Sequence, residues 1–192
     1  FALLNNLKNF EFYSGIPGTI GGAVKMNAGC YGSQTADNLK RVLIIDKFGK
    51  IKYLNKKELK LDYRSSNLPD ESIVLQADFQ LEYSSKSEII KKNNSIKFAR
   101  ENSQPIKEKT SGSTFKNPKG EFAAALIEKA GCKGMQNGAA SVSTIHSNFI
   151  INNGEATALE IETLGKKIIK QVQEKFGITL EWEIKIIGRW LE

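Results

Sequence analysis

A glycine-rich segment near the start of the chain constrains its fold more than any other feature. Six of the sixteen glycines lie within residues 15–32, in the sequence GIPGTIGGAVKMNAGCYG, and Pro17 stiffens the first turn. Glycine adopts backbone conformations closed to other residues and lets a ligand approach the main chain closely. The segment therefore predicts a loop whose N–H groups receive an anionic group such as a cofactor diphosphate. A tight turn packed against a neighbouring helix is the alternative that composition leaves open.

Two common nucleotide-binding motifs are excluded at this segment. A phosphate-binding P-loop ends in Lys followed by Ser or Thr, whereas Val24, Lys25 and Met26 follow the last glycine pair here. A dinucleotide-binding βαβ unit needs a strand, the pattern G-x-G-x-x-G and a distant acidic residue, and the segment does not supply that combination. A nucleotide cofactor would have to bind on another fold.

The composition is typical of a globular protein and disfavours several classes of function. Hydrophobic residues make up 40% of the 192 residues and charged residues 26%, and no apolar run approaches the roughly 20 residues of a membrane helix. The single histidine, His146, and two cysteines without a C-x-x-C spacing, Cys30 and Cys132, predict neither a metal site nor a Ser-His-Asp triad. We expect reduced thiols in a cytoplasmic protein that does not insert into a membrane.

The formal charge of +7 raises the possibility of nucleic-acid binding. However, only four of the 28 basic residues are arginines, and the lysines alternate with glutamates in runs such as KKELKLD and KKIIKQVQEK. This pattern is typical of solvated helix faces rather than of a stripe that follows phosphates. We therefore expect no nucleic-acid partner, although a positive field would attract a phosphorylated ligand such as a nucleotide sugar.

Hydrophobic periodicity predicts an α+β chain in two lobes. The run RVLIIDKFGKIKYLN is typical of a β-hairpin with Gly49 in its turn, and the first lobe is expected to hold an antiparallel or mixed sheet. A polar helix over residues 85–102, closed by Pro105, is expected to join the lobes. Its rough apolar stripe is formed by Ile89, Ile90, Ile96 and Phe98. The other predicted elements are a short helix ending near Asn9, helices at 19–27, 121–129 and 156–176, and strands at 72–83, 148–152 and 178–187.

Three further polar clusters contain residues that could carry chemistry. They are YRSS at 63–66, SGSTFKNP at 111–118 and EWE at 181–183. In the last cluster, Glu181 and Glu183 would share one face of a strand, since side chains alternate with period two. Each cluster also fits a surface ion pair, an ordinary loop or a solvent-facing carboxylate, so no single cluster establishes an enzyme.

The clusters occur in an order that resembles a known family. The segments GIPGTIGGAVKMNAGCYG, YRSSNLPDESIVLQADFQL, QPIKEKTSGSTFKNP, IEKAGCKG, HSNFIINNGEAT and LEWEIKIIG are similar, in order and rough spacing, to UDP-N-acetylenolpyruvoylglucosamine reductases. The resemblance covers essentially the whole chain, and the spacing around residues 83–100 is similar to the shorter subtype. It implies a bacterial flavoenzyme of peptidoglycan synthesis, hence of cell shape and division, that uses FAD and NADPH to reduce UDP-N-acetylglucosamine enolpyruvate to UDP-N-acetylmuramate.

The resemblance implies catalytic roles for three residues. Hydride transfer to C3 of the enolpyruvyl ether leaves enolate charge at C2 and on the adjacent carboxylate, which calls for a proton donor and for cationic or hydrogen-bonding groups. Ser113 matches the family's serine proton donor. Arg64 matches the arginine that supports the carboxylate and enolate, and Glu183 matches the carboxylate that assists protonation or polarises the substrate.

The resemblance also implies contacts to cofactor and substrate. The residues that match the flavin-holding segment are Gly15, Pro17, Gly18, Thr19, Gly21, Gly22 and Asn27. The residues that match substrate ligands are Arg100, Lys116, Asn117 and His146. Ser103 stands where many relatives carry a lysine, which leaves open which cation meets the uridine diphosphate. Arg100 is the candidate for that cation.

The implied architecture has two parts. Residues 1–95 would be the remainder of a flavin-binding domain of the vanillyl-alcohol-oxidase (VAO/PCMH) type, and residues 96–192 a small α+β substrate-binding domain. Family members carry a first flavin-binding lobe ahead of the matching region, so we expect this chain alone to retain flavin weakly, to have little activity and to be a monomer. Two alternatives stay open: a non-catalytic nucleotide-sugar-binding fragment, and another flavin oxidoreductase of the same superfamily.

Overall fold

The chain divides into two compact units of mixed helix and strand. The structure, a computed structural model, describes residues 1–188 and separates Phe1–Ala99 from Arg100–Glu192. Helices and strands occur in both units, which confirms the predicted α+β class. The division falls close to the predicted boundary after residue 95, and the assignment of the units to a flavin domain and a substrate domain stays a prediction.

The first unit is an antiparallel sheet with short helices around it. Its elements are α1 Ile20–Lys25, β1 Gly29–Cys30, β2 Ser33–Gln34, α2 Thr35–Asn38, β3 Leu39–Ile45, β4 Ile51–Asn55, α3 Lys56–Leu59 and β5 Ile73–Phe79. The three longer strands lie in the order β4-β3-β5, and the two short ones pair with each other. The long helix α4, Lys86–Ser103, follows and crosses the division between the units.

The sheet of the first unit buries one face of its central strand. Val42 and Ile44 of β3 are fully buried and pack with Val24 of α1. The predicted hairpin between β3 and β4 is confirmed. Its turn is held by the Asp46 carboxylate, which accepts hydrogen bonds from two main-chain N–H groups at 3.0 Å, and Gly49 supplies the left-handed residue at φ 78°.

The second unit packs two helices against a four-stranded antiparallel sheet. Its elements are β6 Thr110–Ser113, α5 Ala123–Lys129, β7 Gln136–Asn137, β8 Ala140–Val142, β9 Phe149–Asn152 and α6 Ala158–Phe176. The strand order is β6-β9-β8-β7. The predicted strand at 148–152 and the predicted helices at 121–129 and 156–176 are confirmed, whereas the short hairpin β7–β8 was not predicted because two to three residues give no periodicity.

The amphipathic helix α6 supplies much of the core of the second unit. It begins with a capping box in which Thr157 and Glu160 satisfy each other's main-chain N–H groups, and it ends at Gly177 with φ 71°. Leu164 and Ile168 are fully buried on its inner face. Other buried members of this core are Phe115, Ala123, Leu126, Ile127, Cys132, Val142, Ile150, Val172 and Leu180.

The predicted final strand at 178–187 is wrong. The alternating residues of ITLEWEIKII pack into the core and do not pair as a strand. Leu180 enters the core, and the Trp182 ring lies against Phe115 with 4.9 Å between ring centroids. Trp182 pairs with Phe115 in an isolated bridge, and residues 178–188 hold no other strand pairing. Period-two alternation therefore indicated which side chains are buried, not which main chain is paired.

Two smaller predictions also need correction. The helix predicted to end near Asn9 is only a pair of 3-10 turns, Leu3–Asn5 and Glu11–Tyr13, because Asn6 and Asn9 adopt left-handed conformations that interrupt it. The apolar stripe predicted on α4 is half right. Ile89 and Ile96 are buried, whereas Ile90 and Phe98 are 39% and 69% exposed.

Residues 1–188 contain neither a membrane-spanning helix nor a cluster of metal-binding side chains. Over that range, no helix is both long and apolar enough to cross a membrane. In the same part of the chain, no group of three or more His, Cys, Asp and Glu side chains is arranged to hold a metal ion.

Candidate active site

The glycine-rich segment forms an exposed loop that leads into α1. Gly15 and Gly18 adopt φ angles of 81° and 131°, which favour glycine. Pro17 and Gly18 are exposed. Thr19 is the N-cap of α1, and its hydroxyl oxygen accepts a hydrogen bond from the Gly22 N–H at 3.1 Å. The segment thus presents its main chain to the outside at the start of a helix.

Several main-chain donors of this loop are available to a ligand. Within residues 1–188, the N–H groups of Gly18, Ile20 and Gly21 make no hydrogen bond. A Cβ added at Gly18 would meet no atom within 4 Å, so the space beside this donor is open. Unpaired N–H groups at an exposed glycine turn and helix start are the donor set that an anionic group requires.

Glycines of the segment also permit close packing. A Cβ at Gly21 would lie 3.4 Å from the Cβ of Val74, so α1 can rest directly on β5. At Gly29 an added Cβ would lie 2.6 Å from the carbonyl oxygen of Ser33, which only glycine allows. Both interpretations of the segment therefore hold: Gly18, Ile20 and Gly21 expose donors, and Gly21 and Gly29 permit close packing.

Asn27 is the buried anchor of this region. It is 1% exposed. Its side-chain nitrogen donates to the Gln34 side chain at 2.9 Å and to the Asp62 carbonyl at 3.1 Å, and its oxygen accepts from the Ala36 N–H at 2.9 Å. Both amide hydrogens are therefore used inside the protein, which gives Asn27 a structural role. Its contact with a flavin stays a prediction.

Arg64 lies at the tip of a tight turn close to the glycine segment. Asp62 and Ser65 exchange main-chain hydrogen bonds of 3.2 and 3.1 Å around it, and Arg64 adopts a left-handed φ of 51°. Its guanidinium donates to the Gly29 carbonyl at 3.1 Å and lies 5.0 Å from the centre of the Tyr63 ring. The structure thus brings Arg64 together with the glycine segment, a contact that the sequence order did not reveal.

In the second unit, Thr114 links the segment that carries Ser113 to the segment that carries Glu183. Ser113 ends β6, and Thr114 follows with its carbonyl accepting the N–H of Glu183 at 2.9 Å. Ser113 and Glu183 are both half-buried. The Ser113 hydroxyl makes no hydrogen bond to any residue of the described range, so it can donate to a ligand.

A residue that sequence analysis did not single out holds this segment. Asn148 is 3% exposed. Its side-chain oxygen accepts the Phe115 N–H at 3.0 Å, and its side-chain nitrogen donates to the Phe115 carbonyl at 2.8 Å. Its main-chain carbonyl accepts the Thr114 N–H at 2.8 Å. Its only sequence signal was its place as the first residue of the predicted strand NFIIN.

The predicted substrate ligands make contacts of their own. The Lys116 ammonium lies 3.2 Å from the Glu181 carboxylate. The Asn117 side-chain oxygen accepts the Ala123 N–H at 3.0 Å, which caps α5. Arg100 lies 3.5 Å from the Gln104 side chain at the end of α4. These contacts fix where the groups lie, and their contact with substrate stays a prediction.

His146 is a neutral, packed imidazole. Its ring meets Phe149 edge to face with 4.7 Å between centroids, and its Nδ1 accepts the Asn148 N–H at 3.3 Å. Burial lowers the pKa of His146 below its usual value. The side chain therefore serves as a hydrogen-bond acceptor in the support of the Ser113 segment.

Known proteins match both the sequence and the fold. Residues 104–187 match the family described as UDP-N-acetylenolpyruvoylglucosamine reductase, C-terminal domain. The UDP-N-acetylenolpyruvoylglucosamine reductase of Rickettsia conorii is 48% identical over 189 residues, which cover 98% of this chain and 64% of that relative. The one from Parvibaculum lavamentivorans is 46% identical over 95% of this chain and 59% of its own length.

A solved structure shows the same fold. The crystal structure of UDP-N-acetylenolpyruvylglucosamine reductase (MurB) from Thermus caldophilus superposes with a TM-score of 0.85 and 38% identity, over 96% of this chain and 66% of that one. The chain thus spans just under two thirds of the length of the first relatives it matches, at 64% for the Rickettsia conorii protein.

Proposed function

The chain belongs to the UDP-N-acetylenolpyruvoylglucosamine reductase family, and we propose on that premise that it takes part in the NADPH-dependent reduction of UDP-N-acetylglucosamine enolpyruvate to UDP-N-acetylmuramate. The proposed cofactor is FAD, and the proposed setting is peptidoglycan synthesis in the bacterial cytoplasm. The observation that carries the proposal is the hydrogen bond from the Glu183 N–H to the Thr114 carbonyl, because it places the main chain of Glu183 beside the residue that follows Ser113, whose hydroxyl makes no hydrogen bond within residues 1–188.

The first unit fits a flavin diphosphate. Gly18, Ile20 and Gly21 offer main-chain N–H groups that are unpaired within residues 1–188, and the open space beside Gly18 admits a bulky anion. These groups would hold the cofactor by its diphosphate. When bound, FAD supplies the carrier of the hydride between NADPH and C3 of the substrate.

The second unit supplies the proton. Addition of a hydride at C3 of the enolpyruvyl double bond leaves two electrons at C2, delocalised onto the substrate carboxylate, and C2 then takes up one proton. We propose that the Ser113 hydroxyl donates this proton to C2 and recovers one from solvent beside Glu183. The balance is one hydride and one proton added across the double bond, with NADPH oxidised to NADP⁺.

Cationic side chains would stabilise the charge that forms on the substrate. The Arg64 guanidinium carries a permanent charge in a planar fork that suits a carboxylate. It already donates to a carbonyl oxygen, that of Gly29, so its orientation is set by the protein before any substrate binds. Lys116, next to the Ser113–Thr114–Phe115 run, would add a second positive charge.

Calorimetric titration of the purified chain with UDP-N-acetylglucosamine enolpyruvate, with and without added FAD, tests this proposal. We expect binding in both conditions, with affinity reduced roughly tenfold in Arg64→Ala, since a charge-assisted hydrogen bond contributes about 1.5–3 kcal/mol. Arg41→Ala, which removes a surface arginine paired with Asp78, is the control and should bind like wild type. No binding in either condition would contradict the proposal, and substrate binding by a chain that binds no flavin would favour a non-catalytic nucleotide-sugar module.

A further inference from the structure

We propose that Asn148 is a positioning residue that sets the placement of Ser113 relative to Glu183. This inference rests on the proposed function, since it assigns a role within the same reaction. Asn148 does not touch the reacting atoms: its side-chain oxygen and nitrogen both bond Phe115, and its main-chain N–H bonds His146. It acts through the main chain on which Ser113 stands.

The side chain of Asn148 extends the hydrogen bonding between β6 and β9 past the last main-chain pair. Strands β6 and β9 pair with an irregular register, and the last registered pair is Ser113 with Phe149. In an antiparallel ladder, hydrogen-bonded residues exchange both an N–H and a carbonyl bond. The Asn148 side chain makes that same double exchange with Phe115, at 3.0 and 2.8 Å. A primary amide thus replaces a main-chain peptide one residue before the start of β9.

The continued ladder fixes the segment that carries both proposed catalytic groups. With the Asn148 carbonyl and side chain bonded on one edge, the opposite edge of residues 114–116 faces the chain at 181–183. There the Thr114 carbonyl accepts the Glu183 N–H at 2.9 Å, and the Lys116 N–H donates to the Glu181 carbonyl at 2.8 Å. A shift of this segment would move Ser113 and Glu183 apart.

His146 secures Asn148 from the other side. Its Nδ1 accepts the Asn148 N–H at 3.3 Å, and its ring is held against Phe149. Asn148 is 3% exposed. Its side-chain oxygen and nitrogen bond Phe115, its main-chain N–H bonds His146, and its main-chain carbonyl bonds Thr114. Asn is suited to this position because only a primary amide offers a donor and an acceptor in one plane, as a peptide does.

The test compares Asn148→Ala with Asn152→Ala. Asn152 is the last residue of β9, the strand that follows Asn148, and its side chain also bonds main-chain groups. Its oxygen accepts from Gly154 and Ala156, and its nitrogen donates to the Ala156 carbonyl. It makes no bond to residues 113–116, so it controls for the general loss of a structural amide. The readouts are amide hydrogen exchange of the chain by NMR and steady-state reduction with FAD and NADPH supplied.

We expect the Phe115 and Glu183 amides to exchange roughly 10- to 100-fold faster in Asn148→Ala than in Asn152→Ala, because the bonds that protect them are loosened. We also expect kcat to fall at least tenfold with KM within about twofold, since the change acts on the proton-donating segment and not on binding. Equal exchange at these two amides in both variants would overturn the inference, and so would faster exchange with unchanged kcat. A wild-type chain that binds no substrate would count against the proposed function alone, because amide exchange still decides the placement of Ser113.

Asn148→Asp is a second variant that tests the same inference if Asn148→Ala does not fold. The introduced carboxylate retains an acceptor for the Phe115 N–H and loses the donor to the Phe115 carbonyl. Protonation of that carboxyl restores a donor, and burial raises its pKa above the usual value of about 3.9. The excess exchange at Phe115 should therefore shrink as the pH is lowered toward that pKa. An excess that stays constant with pH would show that the donor to Phe115 plays no part and would overturn the inference.

Discussion

The glycine loop of the first unit and the Ser113 segment of the second unit hold functional groups in different ways. The glycine loop exposes main-chain N–H groups that no side chain needs to place, at Gly18, Ile20 and Gly21. The Ser113 segment depends on a buried side chain, Asn148, that bonds it from within. A site built from main-chain groups can be predicted from a glycine-rich sequence, whereas a site held by a buried amide can be recognised only from the three-dimensional structure.

The largest expected effect tests whether the Ser113 segment is where the chemistry occurs. Ser113→Ala removes the proposed proton donor, and we expect kcat to fall roughly 10²- to 10⁴-fold with substrate affinity unchanged. The assay is NADPH oxidation with FAD supplied in excess, so that weak flavin retention does not limit turnover, alongside calorimetric binding. Ser111→Ala changes an exposed hydroxyl two residues away and is the matched control. Similar kcat in the two variants would place the proton donor elsewhere.

The next effect concerns the stability of the second unit. A Cβ added at Gly165 of α6 would fall inside contact distance of the Trp182 ring, which is packed in the core. We expect Gly165→Ala to lower the free energy of unfolding by about 2–4 kcal/mol, as an overpacked site does. Chemical denaturation followed by tryptophan fluorescence measures it.

Gly177→Ala is the control for that stability measurement. An alanine there meets no atom within 4 Å and carries only the backbone strain of φ 71°, so it should cost about 1 kcal/mol. A Gly165→Ala variant as stable as Gly177→Ala would mean that the contact between α6 and the segment at 178–188 is loose.

A third prediction separates ligand binding from packing within the glycine segment. Gly18→Ala places a methyl group beside the free donors in an otherwise open space and strains φ 131°. We expect FAD affinity, measured by flavin fluorescence quenching, to fall roughly tenfold while stability changes by about 1 kcal/mol. Gly49→Ala carries a similar strain at φ 78° in the β3–β4 turn and should leave flavin affinity unchanged. Equal affinities in both variants would remove the loop from the flavin site.

The smallest expected effect is the pH dependence that comes from His146. Because burial lowers its pKa, the folded state favours the neutral ring. The unfolded chain therefore binds more protons, so this stabilisation is complete above the ordinary pKa of about 6.5 and is lost as the pH falls through 6.5 toward the lower, folded value. Between pH 7.5 and 5.0 we expect the Tm of wild type to drop roughly 2 °C more than that of His146→Gln. Parallel melting curves would show that the ring is hydrated in the folded state.

Much of the fold could be predicted from local signals. The β3–β4 hairpin carries its turn signal at Gly49, and α6 carries a periodic apolar face, a capping box and Gly177. The strand prediction at 178–187 was wrong because side chains that alternate between buried and exposed occur both in paired strands and in unpaired segments that pack on the core. Its residues bury Leu180 and Trp182 without a ladder.

The candidate site was predictable in its parts and not in its connections. A segment rich in glycine, and hydroxyls beside a lysine and an amide, are visible in composition. The Arg64 bond to Gly29 and the Thr114 bond to Glu183 join residues 35 and 69 positions apart in the sequence. Asn148 was missed for the same reason, because the bond partners of a buried amide depend on tertiary contacts that leave no local pattern.

The packing of Trp182 gives the chain an optical reporter of its own. Trp182 adjoins Glu183 in the sequence and lies against Phe115, the residue that Asn148 holds, with 4.9 Å between ring centroids. The sequence contains only two tryptophans, so Trp190→Phe would leave Trp182 as the sole indole emitter. The wavelength and quenching of its fluorescence would then follow the Ser113 segment in real time, as ligands arrive, without any label.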